Sequence, residues 1–337
     1  MLRRILAAAF LVLLGLALLL VAWPQLANLA RTDGFVQAVS LRGLAVAAAV
    51  AAIVALGFIA VLAVPIRRFV ASIAVLLLAF VLINLAVLST RGLGSLDFET
   101  AGPSTVTVLS WNTLGDAPGA AAIAQLALES DAEVVALPET TTATATEVAA
   151  IMSAAGKPMT SHTVFFDEIS KARSTSLLIS TDLGDYEVDG TRGNSRVLPS
   201  VIATPVDGTG PTIVSVHLVA PIPGEMNNWR ADLDWIATAC DDDNVIMAGD
   251  FNSTLDHFGG LASVEGATIG RCADAAAATD NAAVGTWPTS LPALLSSPID
   301  HVMQTANWRV AGMRVIENHD GHGSDHRPIL AELVPAG

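Results

Sequence analysis

Cysteine is nearly missing from this chain. Cys240 and Cys272 are the only two in 337 residues, too few to staple a chain of this length into a disulfide scaffold. Charge is scarce too, at 15% of residues, against roughly 25% in an ordinary soluble domain. Tyrosine occurs once, and lysine is rare beside arginine and alanine, a usage associated with GC-rich bacterial genomes. Hydrophobic residues make up 52% and the mean hydropathy is +0.56, which excludes a disordered or collagen-like chain and points to membrane segments.

The charges that are present divide sharply. Residues 1–89 hold six Arg, no Lys and one acid, Asp33, for a net of +5; the rest of the chain carries −20 and all seven His. Three uncharged apolar runs fill the front: Ile5–Ala22, Leu44–Val64 and Phe69–Leu88. About 20 apolar residues cross a bilayer as a helix, so residues 1–89 are expected to be a membrane domain with spans at about 5–23, 43–64 and 69–89. Arg3, Arg4, Arg67 and Arg68 flank the spans on one side, expected to be cytoplasmic. The segment 23–42 and everything after Ser89 then lie outside the plasma membrane, and cleavage of the first run as a signal peptide leaves that side unchanged. Asn84 inside a run is expected to form an interhelical hydrogen bond. No ionisable residue interrupts a run, which argues against a transport path.

Residues 90–104 read as a linker, and 105–337 as one domain. Ten short β-rich runs are expected as strands: 106–110, 133–137, 163–166, 176–180, 201–205, 213–218, 245–248, 299–304, 309–316 and 328–334. Helical patterns cover 120–129, 143–155 and 225–240. Many strands with few helices suggest an α+β domain of two packed sheets flanked by helices. In an oxidising compartment Cys240 and Cys272 form a disulfide; two buried free thiols are the alternative.

Polar residues recur where apolar strands end: Trp111-Asn112, Pro138-Glu139, His217, Gly249-Asp250-Phe251-Asn252, Asp300-His301 and Ser324-Asp325-His326-Arg327-Pro328. Each alone is an ordinary turn or cap. Together they assemble carboxylates, amides and imidazoles on strand-end loops. Oxygen donors without thiolates suit Mg²⁺, Mn²⁺ or Ca²⁺. Such a cation neutralises a phosphoryl oxygen while an imidazole serves as base or electrostatic stabiliser, so the set points to metal-assisted phosphoester hydrolysis.

The order of these pieces resembles the endonuclease/exonuclease/phosphatase (DNase-I-like) superfamily over about residues 105–335, with Gly-Asp-Phe-Asn and Ser-Asp-His-Arg-Pro as its most specific parts. The resemblance implies a four-layer α/β/β/α sandwich with its site at one end and in-line attack by water. It makes Glu139 the principal metal ligand, assisted by Asn112, with Asp325 completing the metal or water network. Asp250 orients or deprotonates the water, Asn252 holds the phosphate or that water, and His217 contacts the phosphate. His326 is the catalytic imidazole and Asp300 its partner. Departures fall on the substrate side: Tyr186 does not match the family's active-site Tyr, and Pro298 stands where a basic residue is common.

Arg173 is a candidate phosphate contact. His319 and His322, in the run 318–323, allow a substrate-contacting loop, a second metal site or a solvated turn. Trp287 and Asp274 read as structural, and Trp229 and Trp235 as core. The −20 body carries no strong nucleic-acid-binding signature. A membrane-anchored, extracytoplasmic phosphoesterase acting on a lipid, lipid-linked or small phosphoester at the outer face is therefore expected ahead of an extracellular nuclease or a non-catalytic tethered binding module.

Overall fold

A computed structural model describes residues 1–337 except positions 101, 103, 168 and 337, the first two of which belong to the expected linker. Three long apolar helices come first: α1 Leu2–Ala22, α3 Arg42–Leu62 and α4 Arg67–Arg91. A short helix, α2 Phe35–Ser40, stands immediately before α3. Apolar side chains on α1, α3 and α4 pack around Ala22, Ala49, Phe80 and Val81, while most other faces stay exposed, as helices in lipid do. Asn84 accepts from Arg42 Nη1 at 2.6 Å and donates to Phe80 O at 2.9 Å, the interhelical bond expected of it.

The body is two six-stranded sheets packed face to face. The first contains β1 Val106–Ser110, β2 Val134–Pro138, β3 Met159–Phe165, β4 Ser174–Ser180, β11 Trp308–Val315 and β12 Ile329–Pro335, in the order β11-β12-β1-β2-β4-β3. The second contains β5 Tyr186–Val188, β6 Val201–Pro205, β7 Thr212–His217, β8 Val245–Asp250, β9 Ala273–Asp274 and β10 Asp300–Gln304, in the order β5-β6-β7-β8-β10-β9. Helices α5 Gly119–Glu129 and α6 Thr142–Ala154 cover the first sheet and α7 Met226–Ala239 the second; α8 Ala275–Ala278 is a single turn. This is the four-layer α/β/β/α arrangement.

The period of two along each strand explains the layers. Val106, Val108, Val134 and Ala136 meet Ile213, Ile246 and Val302 between the sheets. The alternate residues Leu109, Val135 and Leu137 face Ile123 and Ala127 of α5, while Val214 and Met247 face Trp229 and Leu233 of α7. Buried on both faces, these strands are near-continuous apolar runs. Cys240, at the end of α7, and Cys272 form a disulfide.

Segment 23–42 is docked on the body. Val36 is fully buried in the α7 layer with Trp229 and Phe258. Asp256 joins α3, α4 and the turn after α1: it accepts from Arg42 Nε and Nη2 at 2.9 and 2.8 Å, from Arg91 Nη1 at 2.9 Å and from Gln25 Nε2 of the turn Pro24–Ala27 at 2.9 Å. Arg42 Nη1 also donates to Ala22 O, so the last residue of α1, the first of α3 and the last of α4 meet at the body. Arg3, Arg4, Arg67 and Arg68 sit at the opposite helix ends.

Candidate active site

Strand register brings the separated motifs to one end of the two sheets. In the parallel pair β7–β8, His217 lies opposite Asp250, and in the antiparallel pair β8–β10 Asp250 lies opposite Asp300. Across the sandwich, β1 and β2 run parallel and release Asn112 and Glu139 just beyond their last residues. The antiparallel pair β12–β1 places the loop ending in His326 beside them. That loop is pinned to β1: Trp111 Nε1 donates to His326 O at 2.9 Å, and Ser324 Oγ donates to Asn112 O at 2.6 Å while accepting His326 N–H at 3.0 Å.

Two backbone features shape this end. A Cβ on Gly249 would fall 2.0 Å from Val216 O, so only glycine lets β8 close on β7 here. Glu139 and Asn252 adopt left-handed φ values of 58° and 45°, uncommon for non-glycine residues and found where surrounding structure holds a side chain in a set direction.

Asp250 is the hub. Its Oδ2 accepts from Asn112 Nδ2 at 3.0 Å and Asn252 Nδ2 at 3.1 Å, and its Oδ1 accepts Asn252 N–H at 2.8 Å. His326 Nδ1 lies 2.8 Å from Asp300 Oδ2, which directs Nε2 toward Asp250, 3.8 Å away. Asp300 itself is held by Thr286, whose Oγ1 accepts the Asp300 N–H at 3.3 Å. Glu139 Oε1 accepts from Asn112 Nδ2 at 3.3 Å and lies 3.9 Å from His217 Nε2. Asn112 thus bridges the two carboxylates through its amide nitrogen, while its Oδ1 accepts Leu114 N–H.

The two imidazoles are driven apart. Burial works to lower the His326 pKa, but the carboxylates of Asp300 and Asp250 outweigh it and hold the ring protonated. His217 lies 3.9 Å from Glu139 Oε1, but burial, with the charge of His326, lowers it to about 3 and keeps it neutral. Burial also raises Glu139, against the lowering effect of the Asn112 hydrogen bond, and it raises Asp250 against the pull of His326. Environments that split like groups in this way assign acid and base roles.

The donor set fits a hard cation. Glu139 is a largely desolvated carboxylate with one long hydrogen bond, and Asp300 Oδ1 and Asp325 Oδ1 are buried with no hydrogen-bond partner. Leaving such oxygens unpaired is costly, and a divalent ion answers that cost. Among the described residues, Asp250, Asp300 and His326 form the acidic and imidazole group whose ligand atoms lie within 4.8 Å of one another.

A cavity of about 460 Å³ opens over this cluster and is lined by Glu139, His217, Asp250, Asn252, Asp325 and His326, among others. Arg173, His319 and His322 do not line it. Arg173 sits in a 3-10 turn before β4, and its Nε is buried without a partner. The rings of His319 and His322 stack 4.6 Å apart on the surface, with Trp111 edge-on to His319.

Other contributors were not foreseen. Trp287, read as structural, lines the cavity and donates from Nε1 to Asp325 Oδ2 at 2.9 Å. Arg327 of the Ser-Asp-His-Arg-Pro motif turns inward and clamps the Trp287 loop through Gly285 O and Leu291 O while pairing with Asp320. His301, beside Asp300, faces away and bonds Asp274 Oδ2 at 2.6 Å, so that pair supports the fold. Gln37, Ser40 and Leu41, from the segment between α1 and α3, complete the cavity wall.

The model of the endonuclease/exonuclease/phosphatase family matches residues 109–326. No curated protein matches the chain. Among solved structures, an endonuclease/exonuclease/phosphatase family protein from Bacteroides thetaiotaomicron shares 18% identity, covers 69% of this chain and 99% of its own, and superposes with a TM-score of 0.51. One from Bacteroides vulgatus shares 16%, with coverages of 68% and 99% and a TM-score of 0.50. At these identities the likeness speaks for the fold alone. With its family match running from the end of β1 to His326, across every motif of the site, the chain belongs to the endonuclease/exonuclease/phosphatase family, a family of metal-dependent phosphoester hydrolases.

Proposed function

We propose that the chain is a membrane-anchored phosphoesterase whose site lies outside the plasma membrane and hydrolyses a phosphate ester by in-line attack of water. The observation that carries this is the convergence of four carboxylates, Glu139, Asp250, Asp300 and Asp325, with one protonated and one neutral imidazole at a single sheet end. Glu139 would hold the cation, with Asp325 and a reoriented Asn112 completing its surroundings; oxygen donors favour Mg²⁺, Mn²⁺ or Ca²⁺. When bound, such an ion supplies charge neutralisation at a phosphoryl oxygen.

The protein's own groups divide the remaining work. Asp250, made more basic by burial and fixed by Asn112 and Asn252, orients the water and accepts its proton. Neutral His217 donates from Nε2 to the phosphate. His326, with Nδ1 committed to Asp300, presents a cationic Nε2 to the charge that builds up in the transition state.

Sidedness follows from charge. Arg3, Arg4, Arg67 and Arg68 cluster at the helix ends away from the body, and the positive-inside rule puts those ends in the cytoplasm. The Cys240–Cys272 disulfide suits the oxidising side that remains for the body. Against a nuclease stands the acidity of the body. Arg192, one of its exposed cations, is already paired with Asp189 and Asp242.

The test is a panel of phospholipid, small mono- and diester and short DNA substrates, offered to the full-length protein with Mg²⁺ or Mn²⁺. Metal-dependent hydrolysis that Glu139→Ala lowers by about a thousandfold or more is the expected result. Near wild-type turnover by folded Glu139→Ala refutes the metal assignment. Silence of the wild type across the panel refutes the hydrolase reading.

A further inference from the structure

The catalytic cavity is not built by the body alone. Its wall includes Gln37, Ser40 and Leu41 from the segment between the first two membrane helices, and Leu41 is the residue directly before α3. Leu198 and Ile222, from loops before β6 and after β7, line it too, as does Leu114. Ile222 and Leu114 are 53% and 45% exposed, so apolar surface is presented at the mouth of a polar site. Scattered exposed leucines mean little; a set rimming a catalytic cavity beside a membrane span does.

The contributing segment is rigidly held. Val36 is buried in the α7 layer, and its carbonyl accepts from His257 Nε2 at 3.2 Å. Gln37 Nε2 donates to Pro221 O at 2.6 Å, tying α2 to the loop that carries Ile222. One residue beyond Leu41, Arg42 makes its buried double contact with Asp256. The apolar wall therefore runs from the carboxylate cluster directly onto a membrane helix.

Building on the phosphoesterase reading, we infer that the site takes a phosphate ester carrying a long aliphatic chain. The phosphate reaches Glu139, His217 and Asp250, while the chain passes along the apolar rim that Leu41 and Ile222 contribute and into the outer leaflet. A cavity of about 460 Å³ holds a head group and the first carbons of a chain, in the range of small-ligand sites. A freely soluble ester has no use for the apolar rim, and a polyanionic strand finds no cationic track there.

The decisive experiment uses the full-length protein in mixed micelles with two esters of identical head group, one with a long chain and one with a four-carbon chain. The wild type is expected to favour the long chain at least tenfold in kcat/KM. Leu41→Asp and Ile222→Asp each reduce that ratio by about tenfold, and Leu41→Met keeps it. Diacyl and polyprenyl versions of the long-chain ester then tell which aliphatic lipid is taken. Equal kcat/KM for long and short chains in the wild type, or a ratio untouched by both Asp substitutions, overturns the inference.

A second readout needs no turnover. A non-hydrolysable long-chain phosphonate with a photoreactive group near its head is expected to label residues 35–41, and a long-chain but not a short-chain ester competes. Label confined to the lipid-facing helix surfaces overturns the inference whatever the kinetics. Labelling at 35–41 without hydrolysis of any ester sinks the phosphoesterase reading and leaves the lipid site standing.

Discussion

Asp256→Asn tests whether the three long apolar helices and the body are one working unit. The substitution keeps the shape of the side chain and removes its charge. In the wild type that charge is 2% exposed and faces Arg42, itself 4% exposed, and Arg91. Burial pushes the Asp256 carboxyl up, but the hydrogen bond of Arg42 and the charges of both arginines outweigh it and hold the group well below the usual carboxylate range. Asparagine would leave two guanidinium groups facing each other in a site closed to water, and breaking a buried ion pair in this way costs about 3–5 kcal/mol. For a domain of this size each kcal/mol lowers Tm by about 2–4 °C, so a fall of about 6–20 °C is expected. Thermal melting of the full-length protein in detergent measures it, and limited proteolysis reports the accompanying release of segment 23–42. The long-chain preference should fall with it, because Leu41 adjoins Arg42. A melting temperature within about 2 °C of wild type, with segment 23–42 still protected, would refute the argument.

Three further outcomes follow from the geometry. Asp300→Asn removes the charge behind His326 while preserving volume; kcat should drop about 10²–10⁴-fold without rescue by excess metal, as steady-state kinetics at saturating Mg²⁺ will show. His257 accepts Thr254 N–H at Nδ1 and donates from Nε2 to Val36 O, so it is neutral, and burial lowers its pKa to about 4. The folded value lies below the unfolded one near 6.5, so this stability is full above about pH 6.5 and lost as pH falls toward 4. Denaturant titrations should show about 2 kcal/mol more loss between pH 6.5 and 5 in wild type than in His257→Asn, whereas the corresponding loss through Asp256 begins only below its unfolded value near 4. Replacing Cys240 and Cys272 with serine opens a 32-residue loop closure worth about 3–4 kcal/mol, read as a lower Tm than that of the oxidised wild type.

Much of the fold was legible because its signals are local. Strands such as Val201–Pro205 and Val106–Ser110 are apolar runs bounded by polar turn residues, and a polar residue that ends such a run has few places to go but the sheet end. That is why Glu139, His217, Asp250 and His326 fall together around one cavity, with Asp300 behind His326. The short strands β5 and β9 have three and two residues, too few to show a period of two. Strand β3 starts at Met159, earlier than expected, because Thr160, Ser161 and His162 are polar residues whose pairing with Ile179, Leu178 and Leu177 holds them in the sheet.

What stayed hidden depends on distance along the chain. Phe35–Ser40 is a single helix of six residues, and its apolar Val36 and Val39 have nothing nearby in sequence to pack on. Asp256 reads as a loop carboxylate and Arg42 as a juxtamembrane cation; their pairing spans 214 residues. Positive charge at a helix end normally reports sidedness, and Arg42 lies at the end away from Arg3, Arg4, Arg67 and Arg68. Its guanidinium instead holds Asp256, Asn84 and Ala22 O together, which places Leu41 at the mouth of the site. The motif set points to phosphate chemistry from the body's own strands, whereas the apolar rim combines Leu41, before α3, with Leu114, Leu198 and Ile222 of the body. A body cut free at residue 90 would keep every residue of the carboxylate and imidazole cluster. It would lose the α2 wall and leave Asp256 without its Arg42 partner, so a truncated enzyme is the wrong material on which to measure substrate choice.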